Sequence, residues 1–375
     1  MTPAQLMVDQ FSKAGFGIIA GVPCSSLGGL INAASAHPAV RYIGAANEGD
    51  AVAIAAGAWL AGSRGAVFMQ NSGLGNAINP LTSLVSTFAI PMRLVIGWRG
   101  RPIVADEPQH RLMGEITPAL LRLCEFEIMT LAPMAVETAT HAFLQPTDRN
   151  LALLVDGDDL RGNSGKLSPA ANKRPRVLRN FCRGGARPSR VQAIKTIVSV
   201  LPDNAAVFST TGKCSRELFE SGDQPNYFYQ VGSMGCVSSL ALGFSLVAGR
   251  RTVVLDGDGA ALMRLGSLAT VGVQQPAGLV HVVLDNEAHD STGGQPTATV
   301  STDLAAVAVA CGYPRVARCD DRAGVEQALA WGFAESGPIF IHAKIAAGSA
   351  PGLGRPTLDP ADAARRFRLH FKAAA

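Results

Sequence analysis

The residues Val253–Met263 read Val-Val-Leu-Asp-Gly-Asp-Gly-Ala-Ala-Leu-Met. A short apolar run of the buried-strand kind turns through Gly257 and Gly259. It then opens into the helical pattern Leu262, Leu265, Leu268 and Ala269. Strand, glycine turn and helix start together present backbone N–H groups to a phosphate. Asp258, set between the glycines, would repel phosphate unless a cation stood between them. The stretch therefore predicts a divalent metal bridging Asp258 to a diphosphate. Mg²⁺ suits this, because it takes hard oxygen ligands and shares substrate phosphates with one or two carboxylates. The run Leu279–Leu284 reads as the next strand and ends at Asp285-Asn286. The 25 residues between Gly259 and Asp285 leave room for one helix and one strand. Two neighbouring parallel strand ends then meet, which is where open α/β sheets bind ligands. Two other readings compete. A lone Gly-Asp-Gly is usually a turn. A Rossmann dinucleotide site would use Asp285 as its ribose acid, but Leu262 stands in place of the third glycine and Asp285 falls late.

Other strand-end loops carry polar candidates. Glu48 stands in Asn47-Glu48-Gly49-Asp50, at the head of the apolar helical pattern Val52, Ala55, Ala56, Trp59, Leu60. There it is either a capping carboxylate favoured by the helix dipole or a functional acid. Cys24-Ser25-Ser26 and Asn71-Ser72-Gly73 each follow an apolar run. The loop from Arg99-Gly100-Arg101-Pro102 to Asp106-Glu107-Pro108-Gln109-His110 exceeds the usual length of α/β connections, which points to function. Ser209-Thr210-Thr211-Gly212 is a further strand-to-helix turn suited to phosphate. The polar loop Ala288–Thr297 places His289 and Asp290 just beyond the proposed metal ligand.

The elements that must position these residues alternate along the chain. Helical spacing over 4–14 precedes strands at 17–21, 41–44, 65–70, 92–97 and 151–155. This first half reads as a βα repeat with a parallel sheet. The alternation resumes with a helix near 189–200, strands at 205–209 and 227–231, and the apolar runs before Gly257 and Asp285. A helix at 322–335, a strand at 338–344 and a tail rich in Gly, Pro and Arg end the chain. The expected fold class is α/β, in two similar halves.

Composition bounds the partners. The chain has 375 residues, 47% of them hydrophobic and 17% charged, as expected for a globular protein with real cores. Residues 161–190 hold nine Lys/Arg and no Asp or Glu; without them the net charge of +4 becomes −5. The stretch reads as a solvated basic linker, so neither a nucleic acid nor a membrane is expected as partner. Seven cysteines with no CxxC pair suit reduced thiols and a cytoplasmic protein. No signal-peptide core or apolar span is present.

Gly257-Asp258-Gly259 followed after about two dozen residues by Asn286 resembles the thiamine diphosphate (ThDP) signature; the usual first Asn is here Asp285. Asn47–Val52, Gln70–Asn76, Asp106–His110, Thr211-Gly212-Lys213, Gly232-Ser233-Met234-Gly235 and Ala288–Thr297 extend the likeness over nearly the whole chain. They resemble the phosphonopyruvate decarboxylase family of ThDP-dependent decarboxylases. The resemblance implies two ThDP-binding-fold domains, each a mostly parallel sheet flanked by helices: a pyrimidine-binding domain at 1–160, the linker at 161–190 and a diphosphate-binding domain at 191–375. It implies Mg²⁺ held by Asp258, Asn286 and the Ala288 carbonyl. Glu48 would hydrogen-bond the cofactor's pyrimidine and activate it. Thr211, Gly212, Gly232, Ser233 and Met234, with Gly257, Gly259 and Ala260, would line the cofactor, Met234 holding it bent. His110, His289 and Asp290 are candidates for proton transfer; Ser25, Ser26, Asn71, Arg99, Gln109 and His110 for holding phosphonopyruvate. A homo-oligomer, at least a dimer with shared active sites, follows from the same resemblance. The alternatives are a sulfopyruvate decarboxylase, a carboligase of acetolactate synthase type and a non-catalytic scaffold.

Overall fold

The computed structural model describes residues 1–131, 136–156, 160, 175–334 and 336–373. The chain divides into two compact units, Met1–Ala170 and Ala171–Ala375. Each is built on one parallel sheet.

In the first unit the strands are β1 Phe16–Gly21, β2 Arg41–Gly44, β3 Arg64–Gln70, β4 Arg93–Gly97, β5 Phe126–Thr130 and β6 Asn150–Val155. They lie in the order β2-β1-β3-β4-β6-β5, every pair parallel. Their near-continuous apolar runs are what a sheet covered on both faces requires. Helix Pro3–Lys13 starts on a capping box between Thr2 and Gln5. It delivers Phe11 into edge-on contact with Phe16, Phe68 and Phe143. Helix Glu48–Leu60 is apolar almost all round and buries every residue from Gly49 to Ala58. It packs so closely on β3 that a Cβ at Gly65 would lie 2.4 Å from the Ala55 carbonyl.

In the second unit the strands are β7 Val177–Asn180, β8 Ala206–Ser209, β9 Tyr227–Tyr229, β10 Thr252–Gly257, β11 Leu279–Asp285, β14 Arg315–Cys319 and β15 Ile339–Lys344. The order is β7-β14-β15-β11-β10-β8-β9, again parallel throughout. Two short strands, β12 Ala288–His289 and β13 Gln295–Pro296, form an antiparallel hairpin beyond β11. The β10–β11 pairing sets Gly257 beside Leu284, so the glycine turn and the Asp285-Asn286 step leave the sheet side by side.

Two expectations change. Residues 161–174 of the basic stretch lie outside the described residues, but its later part is not a linker. Val177–Asn180 hydrogen-bonds to β14 as the sheet's edge strand, and Arg190 is a buried residue that begins helix Arg190–Val198. The Gly/Pro/Arg-rich tail contains a helix, Pro360–Ala373. Phe367 and Phe371 from it join Phe208, Phe228 and Phe244 in an aromatic cluster. Among the described residues no helix is long and apolar enough to cross a membrane.

Candidate active site

In the first unit the N-cap of helix Glu48–Leu60 is Asn47, whose side chain accepts from the Gly49 N–H at 2.8 Å. Capping does not consume Glu48. Its carboxylate instead accepts from Asn76 Nδ2 at 2.9 Å and lies over Gly73, where a Cβ would sit 2.4 Å from Glu48 Oε1. Gly73 is thus a space kept for the acid, and Glu48 stays half-buried at a strand-end edge.

The proposed substrate residues sort into two kinds. Asn71 is fully buried. Its amide donates to the Arg99 carbonyl at 2.8 Å, and its oxygen accepts from the Arg99 N–H at 3.1 Å. With both ends of its amide used on the backbone N–H and C=O of one residue, Arg99, and a bond to Thr117 Oγ1, Asn71 clamps the loop and does not face a ligand. Ser26 is buried against Cys24 Sγ at 3.0 Å. Arg99, Ser25, Gln109 and His110 remain at least partly exposed. Asp106 grips Arg99 through two parallel bonds. Bonds from Arg99, outweighing a smaller effect of burial, hold the Asp106 carboxyl well below the usual carboxylate range. The loop closes on glycines: a Cβ at Gly114 would lie 1.6 Å from the Gly100 carbonyl, and one at Gly100 would lie 2.0 Å from that of His110.

In the second unit Asp258 is 4% exposed. One of its oxygens accepts from the hydroxyls of Thr297 and, at 3.0 Å, Thr299. Burial first, then the charge of Asp285, push its carboxyl up against the opposing pull of Thr297. Among the described residues no cationic side chain pairs with it. A buried carboxylate in that state is costly unless a cation compensates it, so the position fits a metal ion. Asn286 donates its amide to Asp290 Oδ2 at 2.7 Å, and its oxygen lies 3.4 Å from the Ala288 N–H. The nitrogen being fixed by a carboxylate, the oxygen is the atom left to face a cation.

Several backbone turns surround this position. Gly232, Ser233 and Gly235 all have positive φ, 70°, 42° and 87°, in a tight turn that carries Met234. The Gly232 N–H donates to Thr211 Oγ1 at 3.2 Å. A Cβ at Gly259 would meet His289 Cε1 at 2.6 Å and Met234 Cε at 3.5 Å. The turns after β9 and β10 and the β12 hairpin therefore converge, bringing Met234, Gly259 and His289 together. Gly212 has φ 91°, and a Cβ there would lie 3.0 Å from Ser291 Oγ. Close by, the buried Thr210 hydroxyl has no partner among the described residues; its methyl lies 3.9 Å from where a Gly257 Cβ would be. An orphaned hydroxyl beside a glycine turn and an uncompensated carboxylate fit a metal-bound diphosphate.

Asp290 is held more tightly than a proton carrier would be. Arg190 pairs with it and, at 3.2 Å, with Glu217; Asn286 and the Gly348 N–H complete its shell. Its bond with Asn286 fixes the orientation of that amide. Sequence reasoning missed this arginine, because a basic stretch disguised it. It also missed the support of Asp285, which is fully buried and bonds His342 Nε2 at 2.6 Å and Lys344 Nζ at 2.7 Å. Although burial opposes its charge, those two partners keep the Asp285 carboxyl well below the usual range. The signal existed: Lys344 closes β15 in register with Asp285. Thr297 and Thr299 carried no such mark.

Comparison with known proteins shows the family and the fold. Residues 1–119 match the thiamine pyrophosphate enzyme N-terminal TPP binding domain, and residues 210–343 match the C-terminal TPP binding domain. A phosphonopyruvate decarboxylase of Streptomyces viridochromogenes is 45% identical, covering 98% of this chain and 94% of its own. A sulfopyruvate decarboxylase of Methanosarcina acetivorans is 29% identical over 98% of this chain and 97% of its own. The solved benzoylformate decarboxylase of Polynucleobacter necessarius superposes with a TM-score of 0.71 at 14% identity, covering 93% of this chain and 99% of that one, a likeness of fold. The chain belongs to the phosphonopyruvate decarboxylase family of thiamine pyrophosphate enzymes.

Proposed function

We propose that this protein is a carboxy-lyase that converts 3-phosphonopyruvate to phosphonoacetaldehyde and CO₂ with ThDP and Mg²⁺, within phosphonate natural-product biosynthesis in the cytoplasm. The observation that carries the reading is the near-full-length match at 45% identity to a protein of that name, against 29% for a sulfopyruvate decarboxylase. Residues 1–160 are assigned to pyrimidine binding and 191–375 to diphosphate binding.

Bound ThDP supplies the electron sink that carbon–carbon cleavage next to a carbonyl requires. The chain's residues do the rest. Glu48, half-buried and held by Asn76, shares a proton with the cofactor's pyrimidine ring; an apolar helix start strengthens that bond. Asp258, Asn286 and the Ala288 carbonyl hold the Mg²⁺. Thr210, Thr211, Gly212, Gly257, Gly259 and Ala260 receive the diphosphate. Met234, fixed by its left-handed turn, supports the cofactor, with Gly232 and Ser233 providing the turn. His289, against Gly259, and His110 are the groups placed to move protons, and Gln109 lies beside the latter in the same loop. The working form is a homo-oligomer, at least a dimer, with active sites shared between subunits.

The test is CO₂ release on adding phosphonopyruvate to the chain with ThDP and Mg²⁺. Turnover to phosphonoacetaldehyde upholds the reading. Turnover of sulfopyruvate alone would keep the chemistry and change the substrate.

A further inference from the structure

A cleft of about 240 Å³ opens in the first unit at the carboxyl ends of β4 and β6, lined among others by Trp98, Arg99, Arg101, Asp106 and Asp156. Ligands of open parallel sheets bind outside such strand ends. Arg99 is fixed there at both backbone and side chain. Asn71 holds both its backbone N–H and its backbone carbonyl. Asp106 takes its Nε at 2.8 Å and its Nη2 at 2.5 Å. Asp106 is itself saturated, accepting also from the N–H groups of Gly100 at 2.7 Å and Glu107 at 2.8 Å.

A guanidinium has five N–H donors in a planar fork. Asp106 occupies the edge formed by Nε and Nη2. The other edge, Nη1 with the second hydrogen of Nη2, matches an oxyanion in bidentate geometry. On that side Nη1 donates to Ser25 Oγ at 3.5 Å; Ser25 adjoins the cleft-lining Ser26, and its hydroxyl proton is left to donate to the same anion. The Arg99 side chain keeps 23% of its surface exposed.

Arg101 lines the same cleft and pairs with Asp156, its guanidinium 5.8 Å from the centre of the Trp98 ring. Their side chains are 43% and 24% exposed. Pairs of that exposure contribute at most about 1 kcal/mol, so an incoming anion can take Arg101 from Asp156 at little cost. Arg99 is a built anchor, and Arg101 is an exchangeable second charge.

We propose that this cleft seats the phosphonate group of the substrate, with Arg99 and Ser25 as its anchor, Asp106 as the residue that positions Arg99, and Arg101 as the charge that favours a dianion over a monoanion. The proposal rests on the decarboxylase reading above and adds to it the seat and the basis of selection. A phosphonate can take a second negative charge, as a phosphoryl group does, and as a dianion can engage both arginines; a sulfonate carries only one.

The experiment titrates the full chain with 3-phosphonopropanoate and 3-sulfopropanoate, which lack the reacting carbonyl, by calorimetry. Phosphonopyruvate turnover of the wild type is measured alongside, and thermal melts control for folding. Arg99→Lys and Ser25→Ala should weaken 3-phosphonopropanoate, the former by about 30-fold, as loss of a charge-assisted bidentate contact implies. Arg101→Gln should reduce the preference for phosphonate over sulfonate and leave sulfonate binding nearly intact. Asp106→Asn should raise KM for phosphonopyruvate while kcat stays within about threefold, the split expected when only binding is lost. Folded Arg99→Lys and Ser25→Ala variants that bind the probe like wild type, beside a wild type that decarboxylates phosphonopyruvate, overturn the anchor and leave the decarboxylase reading standing. A wild type inert to phosphonopyruvate that still binds 3-phosphonopropanoate through Arg99 overturns the reading and not the anchor.

Discussion

In the proposed reading activation depends on Glu48, which Asn47 relieves of capping and for whose carboxylate Gly73 makes room. Glu48→Gln keeps the shape and removes the proton-sharing charge. Turnover should fall at least ~100-fold, as expected for a general acid–base group, while ThDP uptake measured by calorimetry persists. Asp258→Ala should instead abolish Mg²⁺-dependent ThDP uptake, since it removes the buried carboxylate that a cation would compensate. Residue type and spacing single out Asp258 but leave Glu48 open between a cap and a functional acid, a choice that the family resemblance supplies. Their supports are less visible in the sequence. Arg190 sits in a basic run, and Asn71 resembles a ligand in its loop, whereas its side chain is spent on the Arg99 backbone.

At the scale of elements, the loop Asp285–Asp290 is pinned at one end by Lys344 and His342 and at the other by Arg190. Lys344→Met leaves the buried Asp285 charge without its cation and should cost about 3 kcal/mol in chemical denaturation; adding Asp285→Asn should recover much of that loss. Helix Pro360–Ala373 is held by Phe367 in the aromatic cluster and by Arg366 on Asp223 at 2.6 Å. Phe367→Ala should cost about 3–5 kcal/mol. Arg366, against a smaller opposing effect of burial, lowers the Asp223 carboxyl. That contribution is complete above the unfolded pKa near ~4 and fades as pH falls through the lower folded value. Melts between pH 6 and 2 should show Arg366→Gln losing less stability on acidification than wild type.

Apolar runs make most central strands legible to within a residue or so, since strands buried on both faces have no alternation to conceal them; the interior strand Arg315–Cys319 is missed, its run being broken by Arg315 and Arg318. The edge strand Val177–Asn180 escapes such a reading because all four of its side chains are exposed. The final helix escapes it because Gly, Pro and Arg ahead of it obscure the spacing of Ala364, Phe367 and Phe371, which the structure buries.

For the whole molecule, each unit presents its candidate functional side chain at the carboxyl ends of one parallel sheet, Glu48 in the first and Asp258 in the second. If active sites are shared between subunits, two inactive variants should complement each other. Glu48→Gln and Asp258→Ala, dissociated and reassembled as a mixture, should regain part of the lost turnover; no regain would place each site within one subunit. The most direct measurement is CO₂ release with ThDP and Mg²⁺, comparing kcat/KM for phosphonopyruvate, sulfopyruvate and pyruvate. Phosphonopyruvate should lead, with pyruvate lowest for want of an anion to meet Arg99 and Arg101. Equal or greater kcat/KM for sulfopyruvate would contradict the substrate assigned here, and no CO₂ from any of the three would contradict the decarboxylase itself.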